Sequence, residues 1–335
     1  MTENIKTSYS AAGEVPLKVV LNDNIMNSIR NGGMIPMTHV QLIPTNQCNL
    51  NCPFCSCGDR DKNLELSLSE IYDVMVDAKA CGCEAVTITG GGEPLLHPEI
   101  NDIIHILKGM NIDVGLVTNG LLLDNLNADT MKEVTWIRIS SGDHRDFTYD
   151  YAKYLYRNVK RGPTVDWAFS HVVSDKPNMD TICNLVDFAN HNKFTHVRLV
   201  SDLLNLPKEK TWNPDLPLPP MERIRDKLFE MGVDDSRVNY QDRQEYTPGR
   251  KECLISLLKP VIGADGKIYA CCGIQYAFPE VHKDLVRPMG EMRNLKRIYL
   301  QQENFDGSQC IKCYYDNYNS LLGALKSDIK HRRFV

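Results

Sequence analysis

Apolar residues along this chain follow two alternating rhythms. Short runs rich in branched side chains read as strands, and stretches with apolar positions every three or four residues read as helices. Val40-Gln-Leu-Ile-Pro44 predicts a first short strand. Ala85–Thr89, Ile112–Thr118, Trp136–Ser140, Val165–Val173 and His196–Ser201 predict five more. Helices are expected between them at Glu65–Gly82, Pro98–Met110, near Ala128–Val134, at about Thr148–Val159 and at Met179–His191. In the first helix Ser67 and Glu70 form a capping box, and Ile71, Val74, Met75 and Ala78 share one face. In the second, Ile100, Ile103, Ile104 and Leu107 do the same. Strands interleaved with helices predict an α/β fold with a parallel sheet and right-handed crossovers, either a partial barrel or open and doubly wound.

The flanks read differently. Residues 1–36 are polar and irregular, a loose arm with one short helix near Leu21–Arg30. Leu206–Pro220 carries Pro207, Pro214, Pro217, Pro219 and Pro220, a linker that cannot continue a helix or a central strand. A helix at about Met221–Met231 follows, and Tyr240–Arg250 is polar and turn-rich. From Lys251 the chain is dense in cysteine. There Pro260-Val-Ile-Gly and Lys267-Ile-Tyr-Ala flank Ala264-Asp265-Gly266 as a hairpin, with helices at about Met292–Gln302 and Asn319–His331. The expected units are an arm at 1–36, a barrel domain at 37–235 and a small domain at 236–335.

Composition narrows the class of protein. At 335 residues there is room for one large domain plus a small one, and no run of 18 apolar residues offers a membrane span. Met1-Thr-Glu-Asn-Ile-Lys-Thr lacks the apolar core of a signal peptide, so a cytoplasmic location is expected. A net charge of −5 gives no broad attraction to nucleic acid, although a local basic patch is compatible with it. Disulfides are rare in the cytosol, so twelve cysteines point to metal or redox chemistry.

The sharpest signal is Thr45-Asn-Gln-Cys-Asn-Leu-Asn-Cys-Pro-Phe-Cys55, which sets Cys48, Cys52 and Cys55 in a Cys-x3-Cys-x2-Cys array. Three thiolates this close can wrap one face of an iron–sulfur cube and leave one iron without a protein ligand. A structural zinc site wants a fourth ligand. No histidine lies between Val40 and Gly90, so zinc would have to borrow Cys57.

This array resembles the signature of the radical SAM superfamily. The resemblance implies a partial (β/α)6 TIM barrel whose cluster binds S-adenosylmethionine (SAM) at its open iron and cleaves it reductively to a 5′-deoxyadenosyl radical. It also implies an electron donor such as flavodoxin or ferredoxin. Gly90-Gly-Gly-Glu-Pro94 follows the second strand directly and is similar to the family's glycine-rich motif, which places SAM amino-group contacts on Gly91, Gly92 and Glu93. Val117-Thr-Asn119 and Arg138-Ile-Ser140 put polar side chains at the same barrel mouth. By the resemblance Asn119 and Ser140 reach the SAM carboxylate or ribose, although Asn119 before Gly120 is also a plain turn residue.

Cys253, Cys271, Cys310 and Cys313 run in the order Cys-x17-Cys then Cys-x2-Cys. This looks like the Twitch domain, a shortened SPASM domain of radical SAM enzymes, and implies a second [4Fe–4S] cluster. A four-cysteine zinc ribbon is the alternative, and Cys272 could replace Cys271 as a ligand. Cys57, Cys81, Cys83 and Cys183 read as small buried residues. Substrate-facing candidates lie at further strand ends: Asp143 in Ser141-Gly-Asp143-His144-Arg145, Ser174-Asp175, and Arg198 with Asp202. Arg198 suits an anionic or hydroxylated substrate, and a carboxylate could accept a proton.

With four thiolates on the second cluster no iron there is open to substrate, which favours outer-sphere electron transfer. The pattern resembles radical SAM dehydrogenases that oxidise an alcohol of a small molecule. Modification of a peptide substrate is the rival, and a non-catalytic zinc- or nucleic-acid-binding protein is the reading from another class.

Overall fold

The computed structural model describes residues 16–174, 176–202, 221–241, 247–272, 287–310 and 313–327. The first fifteen residues of the arm, Asp175, the proline-rich linker at 206–220 and the end of the helix expected to reach His331 lie outside them.

All six expected strands are present: β1 (His39–Leu42), β2 (Ala85–Ile88), β3 (Asp113–Thr118), β4 (Trp136–Gly142), β5 (Asp166–Val173) and β6 (His196–Ser201). They pair in that order and all in parallel. Alternation gives the sheet two unlike faces. Val40, Leu42, Val86, Ile88, Val114, Leu116, Ile137, Ile139, Phe169, Val197 and Leu199 are buried in one apolar core. Their neighbours along the strands are small or polar: Gln41, Thr87, Gly115, Arg138, Ser140, Ser170 and Arg198. Residues from β1 to β6 line a single cavity, as a sheet curled into a partial barrel requires.

Helices pack on the apolar face. They are α3 (Leu68–Ala80), α4 (Ile100–Gly109), α5 (Ala128–Glu133), α6 (Tyr149–Arg161) and α7 (Met179–His191), after α1 (Leu17–Val20) and α2 (Asp23–Arg30). The capping box at α3 forms as expected, with Ser67 Oγ accepting from the Glu70 N–H and Glu70 Oε2 from the Ser67 N–H. The stripe Ile100, Ile103, Ile104 and Leu107 of α4 is fully buried, each side chain contributing about 1.5–3 kcal/mol of transfer free energy. No helix of the described residues is long and apolar enough to cross a membrane.

Two expectations are corrected. The arm is not loose where it is described: Val19, Ile25, Ile29 and Ile35 share a core with Leu254, Ile255, Tyr318 and Leu322 of the C-terminal segment. The Tyr240–Arg250 stretch is not all turn, because β7 (Val238–Gln241) begins before it and pairs in parallel with β6. Val-Asn-Tyr-Gln is too short and polar to signal a strand, and β6 supplies the partner that decides it.

Helix α8 (Met221–Glu230) precedes β7, and α9 (Ile255–Leu258) leads into β8 (Val261–Ile262). Strand β8 pairs in parallel with β1, and β9 (Lys267–Tyr269) turns back on β8 as the expected hairpin, with Gly266 at φ +72°. Strand β10 (Gly290–Glu291), α10 (Leu295–Leu300) and α11 (Asp316–Lys326) follow.

Candidate active site

The loop after β1 is held by its backbone. Thr45 bridges Glu65, and the Asn46 N–H donates to Leu64 O at 2.9 Å. Arg60, buried beneath the loop, donates from Nε to Asn46 O at 2.8 Å and from Nη1 to Cys57 O and, at 3.7 Å, to Cys55 Sγ. Cys48, Cys52 and Cys55 are half-buried free thiols on this frame. A hydrogen bond with the Cys57 thiol, with Arg60 nearby, lowers the Cys55 thiol to about 6 against the opposing effect of burial. Burial, then the neighbouring Cys55 and Cys48, push Cys52 up. Among the described residues no three His, Cys, Asp or Glu side chains form a ready-made metal cage. Metal loops are rarely preformed without their metal, and three adjacent soft donors beside a guanidinium fit an iron–sulfur cluster.

The glycine loop after β2 lies directly on this frame. Gly92 N–H donates to Thr45 O at 3.1 Å and Glu93 N–H to Gln47 O at 2.7 Å. A Cβ on Gly91 would overlap the Asn46 side chain, and one on Gly92 would overlap the Gln47 carbonyl. Only glycine permits the approach. Glu93 is 2% exposed, and its carboxylate accepts from Thr118 Oγ1 at 2.7 Å, Asn119 N–H at 2.6 Å and Leu95 N–H at 3.1 Å. Burial raises its pKa, opposed by these donors.

Asn119 closes the ring. Its Nδ2 donates to Asn49 Oδ1 at 2.7 Å, its Oδ1 accepts the Leu121 N–H at 3.0 Å, and Gly120 follows at φ +74°. It is therefore both a turn residue and a tie to the cysteine loop. Arg145 bridges the ends of β3 and β4 through Asn119 O at 3.0 Å and Ser140 O at 3.1 Å. The Phe54 ring sits on Gly142, leaving no room for a side chain there. Gly91, Gly92, Glu93 and Asn119 thus lie on the cysteine loop at the C-terminal ends of β2 and β3, and Ser140, two residues before the end of β4, is tied to Asn119 through Arg145. Asn46, Arg60, the bond from Thr118 to Glu93 and the bridging role of Arg145 escape the sequence reading, although Asn46 stands inside the cysteine motif itself.

Of the substrate candidates, Asp143 is fully engaged. Its carboxylate meets His171 Nε2 at 2.8 Å and accepts from Ser174 N–H at 2.7 Å, Ser174 Oγ at 3.0 Å and Asn178 N–H at 3.1 Å. Burial pushes this carboxyl up, but His171 and the backbone donors outweigh it and leave the pKa below the usual value. Arg198 donates to Ser170 Oγ at 2.9 Å from β6, and Asp202 stands at the end of the same strand, its N–H bonded to Val173 O at 3.1 Å. Arg138, expected at the mouth, instead lines the cavity lower in the barrel beside Gly115, Ala168 and His196.

Residues 42–169 match the Radical SAM superfamily. This stretch is a radical SAM domain. Among relatives, a probable GTP 3′,8-cyclase of Pyrococcus abyssi is 33% identical over 106 residues, 31% of this chain and 34% of that protein. The chain thus spans about a third of that relative's length. The GTP 3′,8-cyclase of Aquifex aeolicus is 24% identical over 344 residues, covering 89% of this chain and 96% of that one. Among solved structures, SuiB of Streptococcus suis bound to the precursor peptide SuiA gives a TM-score of 0.55 over 86% of this chain and 73% of that chain at 13% identity, a likeness of fold.

Beyond the radical SAM domain, the structure gathers part of the second cysteine set. A Cβ on Gly307 would lie 3.6 Å from Cys310 Sγ and 3.7 Å from Cys253 Cβ. Burial, then the nearby Cys313 and Cys310, push the Cys253 thiol up to about 12. Cys313 Sγ accepts from Asn319 Nδ2 at 3.7 Å. Cys272 Sγ lies 3.6 Å from Tyr315 Oη, with Cys271 and Cys272 both close enough to act electrostatically on Lys259. Ile311 and Lys312, between the last pair, lie outside the described residues.

Proposed function

We propose that this chain is a radical SAM enzyme acting by hydrogen abstraction on a small molecule held in the barrel, with net two-electron oxidation. Cys48, Cys52 and Cys55 would hold one [4Fe–4S] cluster, and Gly91, Gly92, Glu93, Asn119 and Ser140 would surround SAM. Cys253, Cys310 and Cys313 with Cys271 or Cys272 would hold a second cluster in a Twitch-type domain. When bound, the reduced first cluster supplies the electron that splits SAM into methionine and a hydrogen-abstracting 5′-deoxyadenosyl radical, and the second supplies an acceptor for the substrate's electron.

The observation that carries this reading is the pairing of glycine loop and cysteine loop through Gly92–Thr45 and Glu93–Gln47. The remaining roles belong to the chain. Arg198, braced by Ser170, orients a polar group of the substrate, and Asp202 is the proton acceptor at the end of β6. Asp143 positions His171 and the loop after β5. An electron donor such as flavodoxin or ferredoxin is the implied partner. Similarity along 96% of the Aquifex aeolicus GTP 3′,8-cyclase supports a small-molecule substrate, and it favours redox-neutral cyclisation as a second reading.

The test is anaerobic turnover with SAM, a reductant and candidate substrates deuterated at the reacting carbon. Deuterium in 5′-deoxyadenosine together with a product lighter by two hydrogens supports oxidation. A product of unchanged composition supports the cyclisation reading, and reaction with peptides alone would displace both.

A further inference from the structure

The lower half of the barrel contains a cavity of about 450 Å³, within the range of small-molecule sites. Its deep wall is cationic. Arg138 reaches it from β4 with its guanidinium 5.4 Å from the Trp136 ring, and Lys259 from the C-terminal segment with Nζ 5.6 Å from the Tyr315 ring. Among the described residues Arg138 Nε is buried with no hydrogen-bond partner, and no carboxylate pairs with either cation. The nearest acids lie at the outer rim: Asp113 and Asp166 are exposed, and Glu84 is held by Asn22 at 2.9 Å. Two partly buried cations without a carboxylate partner are costly unless something else completes them.

We propose that this cavity binds the anionic terminus, phosphate or carboxylate, of the substrate, with Arg138 and Lys259 as its ligands. Arg138 supplies a planar donor fork for two oxygens of one anion, and Lys259 a point charge. His39, bonded to Thr87 Oγ1 at 2.8 Å, and His196, bonded to Thr195 Oγ1 at 3.0 Å, stand in the same wall as further polar groups. Both imidazoles are kept neutral, His196 lowered to about 3 by burial and then by Arg138 and Arg198, so the cavity's positive charge comes from Arg138 and Lys259, with the exposed Lys18 as a third lining cation. The geometry also sets a length. Arg138 lies four residues below Gly142, on which Phe54 of the cysteine loop rests, about 13 Å at the rise of a strand. A substrate anchored at Arg138 with its reacting carbon at the mouth spans roughly that distance. This rests on the barrel interior being the substrate chamber, but the binding itself requires neither iron nor SAM.

The test is calorimetric titration of the full-length protein with inorganic phosphate, pyrophosphate and succinate at constant ionic strength, which separates phosphate from carboxylate recognition. Saturable one-to-one binding of at least one anion is expected, at least tenfold weaker in both Arg138→Gln and Lys259→Gln, with partial recovery in Arg138→Lys. In anion-free buffer Arg138→Gln should melt no lower than the parent, because it removes a partly buried charge without a carboxylate partner. Absence of saturable binding, unchanged affinity in both variants, or an Arg138→Gln protein that melts several degrees lower would overturn the proposal. So would loss of iron in these variants with anion binding intact, since the cations would then be counter-charges for Cys271 and Cys272. Anion binding by a protein that never takes up iron would instead sink the radical reading and leave this site standing.

Discussion

Glu93 Oε2 accepts the backbone N–H of Asn119 at 2.6 Å, a bond between the loop after β2 and the end of β3 that no local sequence signal announces. It makes a buried carboxylate the keystone of the mouth, because Thr118 Oγ1 and the Leu95 N–H converge on the same group. Replacing Glu93 by Ala strands buried donors, each costing about 1–3 kcal/mol. Thermal melts should show a drop of several degrees, whereas an unchanged melt would mean that water replaces the carboxylate.

The glycines after β2 make a sharper contrast. Gly92→Ala places a methyl group on the Gln47 carbonyl and should lower cluster incorporation and SAM cleavage at least tenfold. Gly109→Ala, at the end of α4 with nothing within 4 Å, should stabilise by about 0.4–1 kcal/mol without touching either. Iron content and melting of the two proteins, measured side by side, check this.

Local patterns made much of the fold legible. The six strands of the barrel, the Ser67–Glu70 box and the Asp265–Gly266 turn are each written in consecutive residues whose chemistry has few alternatives. Strand β7 was not, because Val238–Gln241 becomes a strand only by pairing with β6. At the site, Cys48, Cys52, Cys55 and Gly90–Glu93 stand out by spacing. The partners of Glu93, the anchoring of Arg60 on Asn46 and the packing of α2 on the C-terminal segment join residues distant in the chain or hidden by a bend. Arg138 shows the limit well. Alternation assigns its face of β4 correctly, but only the structure shows how deep in the barrel it sits.

Asp143 provides a pH test. Its folded pKa lies below the usual carboxyl value of about 3.9, so its stabilising contribution is present above that value and lost as pH falls through the folded pKa. Asp143→Asn should therefore melt below the parent at pH 7, and the gap should start to close near pH 5 and close completely only once the pH lies below the folded pKa. A gap constant over that range would mean that the carboxylate's charge contributes nothing beside His171.

The second cysteine set is tested by Cys253→Ala. On the two-cluster reading iron falls from about eight to about four per chain, and 5′-deoxyadenosine formation without substrate persists. Loss of both together would contradict a division of labour between the two sets.

The most direct measurement of the central claim is 5′-deoxyadenosine formation from SAM by the anaerobically reconstituted, reduced protein, with iron and zinc assayed on the same sample. The account predicts a brown protein that contains iron and cleaves SAM, with cleavage abolished in Cys52→Ala. A colourless protein that takes up zinc but no iron, and leaves SAM intact, would contradict it.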